Sequence, residues 1–121
     1  MTRIIAGTAK GRRLEVPSGG TRPTSDKIRE AIFSRLESWN ALDGVRVLDL
    51  FAGSGALALE ALSRGAQRAV LVDSSPKAAR VAKKNASLVG FGRVVQVIPS
   101  AAKTYLGTVH GQFDLVFIDP P

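Results

Sequence analysis

The sequence predicts an α/β fold: a parallel sheet covered by helices on both faces and preceded by a small basic β-hairpin. Three observations carry this expectation. From residue 45 onward, short runs rich in Val, Leu and Ile alternate with helical patterns in the order β-α-β-α-β-α-β. The first of these runs ends in Gly53-Ser54-Gly55, a turn that leads directly into a helix. Each run is also followed by polar or turn residues, as strands that end at one common edge require. Strands joined through helices need right-handed crossovers, and these place the helices over both faces of the sheet.

The amino-terminal 22 residues form the first expected unit. They hold Arg3, Lys10, Arg12, Arg13 and Arg22 against one acid, Glu15. Extended runs at Arg3 to Ala6 and Arg13 to Val16 read as a β-hairpin with a basic tip, joined through Gly7 to Gly11. Residues 23–121 form the second unit. After Pro23, Thr24 or Ser25 caps a helix whose apolar positions are Ile28, Ala31, Ile32, Leu36 and Trp39, which puts Arg29 on another face. Strands follow at Val45 to Phe51, Ala69 to Val72, Val94 to Ile98 and Phe113 to Ile118. The clearest helix between them begins at Ser75-Pro76 and stops at Gly90, with Ala78, Val81, Ala82, Ala86 and Val89 facing the sheet.

Composition bounds the chemistry. The 121 residues are 45% apolar, enough for one core, and carry a net charge of +7 that favours a polyanionic partner such as RNA or DNA. No apolar stretch approaches the roughly 20 residues that cross a bilayer, and Met1 to Gly7 is too polar for a secretory signal. The expected location is cytoplasmic, without a membrane partner. With no cysteine and one histidine, His110, the chain offers no thiolate or histidine cluster for a metal, so the chemistry is expected to be metal-free.

The carboxyl ends of the strands are where an open α/β sheet binds its ligand. Gly53 to Ala58 formally fits the dinucleotide pattern with alanine in place of the third glycine. Asp49 argues against a pyrophosphate there, which it would face with like charge, and suits the ammonium of a methionine moiety. The plainer alternative is a carboxylate that caps backbone amides. Asp73 lies 18 residues after Gly55, near the spacing at which an acid meets a ribose diol. The third strand ends in Ser100-Ala101, where an adenine would be contacted. The fourth ends in Asp119-Pro120-Pro121. Its prolines remove backbone donors, so carbonyls and a carboxylate remain to accept hydrogen bonds from a neutral amino group. Accepting those hydrogens would hold the nitrogen lone pair out of ring conjugation and aim it at a sulfonium methyl.

Together, Asp49-Leu-Phe-Ala-Gly-Ser-Gly55, Asp73 and Asp119-Pro-Pro121 resemble the Rossmann-like class I methyltransferases that act on base amino groups. Arg3 to Gly7, Gly11 to Leu14, Pro17 and Arg22 to Ala31 narrow the resemblance to the bacterial D-type methyltransferases of guanine N2 in small-subunit (16S) ribosomal RNA. The resemblance implies S-adenosylmethionine as cofactor and ribosomal RNA, free or in the small-subunit particle, as partner. It implies that Asp49 and the backbone of Phe51, Ala52, Gly53, Ser54 and Gly55 hold the methionine end. Asp73 and Ser74 would take the ribose region and Ser100 with Ala101 the adenine, while Thr24 and Arg29 support the cofactor from its open side. Asp119, Pro120 and Pro121 match the catalytic loop, and the basic hairpin would contact RNA.

Two departures stand beside the resemblance. The third strand end lacks the acid or amide that often takes the adenine amino group. The family's chain also continues past the catalytic loop with an aromatic residue and three further strands, so this chain is expected to be a fragment that does not itself turn over. A DNA adenine-N6 methyltransferase and a non-catalytic RNA-binding module are the competing expectations; a nicotinamide enzyme is disfavoured by Asp49.

Overall fold

A computed structural model describes residues 2–17, 25–108 and 111–120. Arg22, Pro23, Thr24, His110 and Pro121 therefore lie outside the described residues, and with them part of the expected cofactor, RNA and catalytic sets.

The hairpin pairs β1 (Thr2–Arg3) with β2 (Arg13–Leu14) in antiparallel register, Thr2 opposite Leu14. Both strands are shorter than the sequence pattern suggests. Helix α1 (Asp26–Ser38) is capped by the Ser25 side chain, which accepts from the Ile28 amide. Then come β3 (Arg46–Asp49), α2 (Ala56–Ser63), β4 (Arg68–Asp73), α3 (Pro76–Leu88), β5 (Val95–Pro99), α4 (Ala102–Leu106) and β6 (Leu115–Phe117). The four later strands form one parallel sheet in the order β5-β4-β3-β6. After β3 the chain first builds outward through β4 and β5 and then returns to the other side of β3. The boundary between β3 and β6 is thus the topological switch point, where α/β sheets open a crevice.

Alternate residues of the strands enter different layers, as parallel strands buried on both faces must. Val47, Ala69, Leu71 and Phe117 join the larger core with Phe33, Leu36, Leu59, Leu62, Ala82 and Ala86. Leu48, Leu50 and Val72 form the smaller one, against Ile98, Ala102 and Tyr105. All eight residues of α2 are buried, so this helix is enclosed on every side. The α3 helix follows expectation except at Val81, which is only half-buried: Ser75 caps it through the Ala78 amide at 3.2 Å, Pro76 opens it, and Ala78, Ala82, Ala86 and Val89 are buried.

One expectation is corrected. The buried stripe of α1 is Arg29, Phe33 and Leu36, whereas Ile28 and Trp39 are 55% and 65% exposed. The helix rotates Arg29 inward because a buried carboxylate, Glu60 of α2, waits there at 3.4 Å. The hairpin forms its own two-stranded sheet, and its Ile4, Ala9 and Leu14 join the larger core of the molecule. Its turn lies against the end of α2, with the Thr8 amide donating to the Ser63 carbonyl at 2.8 Å. Gly7 is required there: φ is +90° and an added Cβ would stand 1.9 Å from that carbonyl oxygen. Among the described residues no helix is long and apolar enough to cross a membrane.

Candidate active site

Sheet register sets the site. Asp49, the last residue of β3, is opposite Leu71 on one side and Phe117 on the other. Asp73 is two residues beyond Leu71 and opposite Pro99, and Asp119 is two residues beyond Phe117. Three carboxylates therefore gather along the carboxyl edge, two of them flanking the switch point. The Leu50 amide donates to the Phe117 carbonyl at 3.1 Å and ties the mouth of that crevice together.

The loop from β3 into α2 is held from below. The Ala52 amide donates to the Val72 carbonyl at 3.0 Å, and the Gly55 amide to the Ala52 carbonyl at 2.8 Å. Asp73 accepts from the Gly53 amide at 2.8 Å through one oxygen and from the Ser75 amide at 2.9 Å through the other. Each carboxylate oxygen keeps a second lone pair, so Asp73 both braces the loop and can accept from a diol. Gly55 enters α2 with φ of +85°, and a Cβ there would meet Leu71 Cδ2 at 2.9 Å. The loop can approach the sheet this closely only with glycine at that position.

Asp49 has the most unusual environment. It is 1% exposed, and neither carboxylate oxygen has a hydrogen-bond partner of ordinary geometry. Burial pushes its carboxyl from the usual 3.8 up to about 7; the backbone amides of Ala58 and Phe51 oppose that rise, while Asp119 and Asp73 add to it. The two amides therefore act as nearby dipoles rather than closed hydrogen bonds. A buried, unpaired carboxylate is unfavourable unless a donor or cation reaches it, and an ammonium satisfies that need.

The other expected residues are placed as follows. Phe51 and Gly53 are half-buried, Ala52, Ser54 and Gly55 buried, and Ser74 and Ala101 exposed. Ser100 is half-buried, its amide donating to the Asp73 carbonyl at 2.9 Å and its hydroxyl to the Ala101 carbonyl at 3.0 Å. Asp119 and Pro120 are exposed at the edge. Arg29 is elsewhere in its bonding: fully buried, it binds Asp26, Glu60 and, at 2.8 Å, the Arg3 carbonyl. Its guanidinium joins α1, α2 and the hairpin, while its Nε has no hydrogen-bond partner among the described residues. Arg3, Lys10, Arg12 and Arg13 are all exposed, and Arg12 donates to the Leu88 carbonyl at 3.4 Å.

Three residues that support the site were not singled out from the sequence. Glu60, fully buried, accepts from the Ile5 and Ala6 amides at 2.9 and 3.1 Å and pairs with Arg29 and Arg64. Ser63 accepts from the Ala9 amide at 2.9 Å and donates to the Ala6 carbonyl at 2.6 Å. Asn85 of α3 donates to the Ser54 carbonyl of the glycine loop at 2.8 Å. The available signal was a polar residue inside an apolar stripe: Glu60 within Ala56 to Leu62, and Asn85 between Ala82 and Ala86.

Comparison with known proteins gives a consistent result. A family model described as Conserved hypothetical protein 95 matches residues 2–121. Ribosomal RNA small subunit methyltransferase D of Escherichia coli K12 is 41% identical over 120 residues, covering 98% of this chain and 59% of that protein. The solved structure of the Escherichia coli protein yhhF superposes with a TM-score of 0.89 at 39% identity, covering 99% of this chain and 64% of that one. An RNA methyltransferase from Salinibacter ruber, solved with S-adenosyl-L-homocysteine, shares the fold at a TM-score of 0.59 and 24% identity, over 68% of this chain and 52% of that one. The chain spans between 59% and 66% of the length of the first curated relatives it matches.

Proposed function

The chain belongs to the Conserved hypothetical protein 95 family, that of small-subunit ribosomal RNA methyltransferase D, and on that premise we propose that the protein methylates the exocyclic N2 of a guanine in 16S ribosomal RNA, with S-adenosylmethionine as donor. The fold is the Rossmann-like sheet of class I methyltransferases, with four parallel strands and the amino-terminal hairpin. Within it, the observation that carries the proposal is Asp49, a buried carboxylate without a hydrogen-bond partner at the switch point.

The residues present fit the donor. Asp49 would accept the ammonium of its methionine end, beside the backbone of Phe51 to Gly55. Asp73 would accept from the ribose hydroxyls with the lone pairs that the Gly53 and Ser75 amides leave open. Ser74 would lie beside the ribose, and Ser100 with Ala101 would meet the adenine, largely through the backbone. When bound, the donor supplies the sulfonium methyl. Asp119 and the Pro120 carbonyl would accept the amino hydrogens of the guanine and hold its nitrogen lone pair out of conjugation, a positioning and electrostatic contribution. Pro121 would belong to that catalytic loop. The hairpin, with Arg3, Lys10, Arg12, Arg13 and Arg22, would bind the phosphates of cytoplasmic ribosomal RNA or the small-subunit particle, and Thr24 would support the donor from its open side.

The direct test is labelled methyl transfer to undermethylated small ribosomal particles by the protein that carries this chain, followed by nucleoside analysis. N2-methylguanosine, lost in Asp119→Ala, is the expected product. Label found only in adenine or in DNA would overturn the assignment.

A further inference from the structure

Helix α3 presents an unusual outer face. Its 13 residues include Lys77, Arg80, Lys83 and Lys84 and no acid. Arg80, Lys83 and Lys84 are exposed, opposite the buried Ala78, Ala82 and Ala86. Arg80 and Lys84 stand at i,i+4, where like charges repel and a solvated helix more often alternates signs.

This face meets the hairpin at two contacts. Arg12 donates to the Leu88 carbonyl, and Glu15, the acid at the join, pairs with Lys84 at 2.9 Å. Between hairpin and helix lies a groove of about 430 Å³ lined by Arg12, Arg13, Leu14, Glu15 and Leu88. Leu14 and Leu88 give it apolar surface and the two arginines give it cationic walls. The helix is directional: Leu88 is at the hairpin, while the Ser75 cap is bonded to Asp73 at the carboxyl edge. From Lys84 to Arg80 the rise is about 6 Å toward that edge.

We propose that the outer face of α3 is a second RNA-binding surface, on which Arg80, Lys83 and Lys84 take the phosphates of a strand leaving the hairpin groove and lead it toward the carboxyl edge of the sheet. The proposal rests on the RNA reading above and extends it to residues outside the hairpin. Polyanion binding at such a face is driven by counterion release, so it reads out as salt dependence rather than as sequence preference.

The test uses the protein that carries this chain and a labelled single-stranded oligoribonucleotide, titrated across a salt series. The variants are Arg80→Gln/Lys83→Gln/Lys84→Gln and, separately, Arg12→Gln/Arg13→Gln, with Lys83→Arg/Lys84→Arg as a charge-keeping control. The α3 triple variant is expected to reduce the salt slope by up to about 2, at about 0.7 for each lost contact to a single strand, and to weaken binding on the order of tenfold. The control should bind normally, and melting temperature and S-adenosyl-L-homocysteine affinity should stay unchanged in the triple variant. If only the hairpin variant loses RNA, the α3 face is merely solvated and the proposal fails while the hairpin assignment stands. If neither variant changes, both fail. Binding of the triple-sensitive surface to anionic vesicles in place of RNA would also overturn the proposal.

Discussion

Glu15 and Asn85 are hydrogen-bonded in both directions: the Glu15 amide donates to Asn85 Oδ1 at 2.8 Å, and Asn85 Nδ2 donates to the Glu15 carbonyl at 2.9 Å. The same amide nitrogen donates to Ser54. One buried side chain therefore fixes the hairpin's second strand and the glycine loop to the same helix. Replacing it by alanine strands three polar backbone groups, so Asn85→Ala should lose about 2 to 4 kcal/mol in urea unfolding. Asn85→Asp should do no better, because it points an acceptor at two carbonyls. A loss below about 0.5 kcal/mol, typical of a surface position, would show that the bridge is not structural.

Glu60 makes a second, charged bridge. Its carboxylate is shared by the Ile5 and Ala6 amides, Arg29 and Arg64, all inside the fold. Arg29 keeps Asp26, and Arg64 keeps Glu30 and Glu37, so Glu60→Gln removes one charge from a network that stays partly paired and should cost about 1 to 3 kcal/mol, measured by chemical denaturation. The hairpin amides should exchange hydrogen faster in any variant that still folds. Unchanged exchange at Ile5 and Ala6 would mean that Glu60 does not hold the hairpin.

These two bridges mark what the sequence left unread. The carboxyl edge was legible because its signals are local: a strand, an acid, and glycines that admit a left-handed turn at Gly55. The hairpin's existence was legible for the same reason. The phase of α1 was not, because Arg29 counts as polar in any helical pattern and is buried only through Glu60, 31 residues away. Glu60 and Asn85 likewise acquire their roles from partners brought together by the fold. Strand ends were overextended where apolar residues such as Ile118, 67% exposed, continue the pattern beyond the hydrogen-bonded ladder.

Asp49 makes stability depend on pH in a defined direction. Its carboxyl titrates near 7 when folded and near 3.8 ordinarily, so between those values the folded protein holds a proton that the unfolded chain has lost. Stability should therefore fall as pH rises from about 4 to about 7, and the full penalty, up to about 4 kcal/mol, should be present above that range. Asp49→Asn should flatten this dependence and be more stable than the parent at pH 8. The Asp114 carboxyl, held low by its hydrogen bonds to Arg46, acts only in more acid solution. Parallel curves for parent and variant between pH 5 and 8 would contradict the assignment.

An ammonium bound at Asp49 would favour the ionised carboxylate, so ligand binding near pH 6 should release a proton. Calorimetric titrations in buffers of different ionisation enthalpy would detect it. Equal apparent enthalpies in all buffers at pH 6 would exclude such coupling.

In the proposed function a single site at the ends of β3 and β4 holds both ends of the methyl donor. Titrating S-adenosyl-L-homocysteine by calorimetry into the parent protein and into Asp49→Ala and Asp73→Ala measures it. Each substitution should weaken binding by about 1 to 3 kcal/mol, roughly 5-fold to 150-fold, through loss of a charged acceptor for buried donors. Unchanged affinity in both variants would contradict the cofactor site at the ends of β3 and β4.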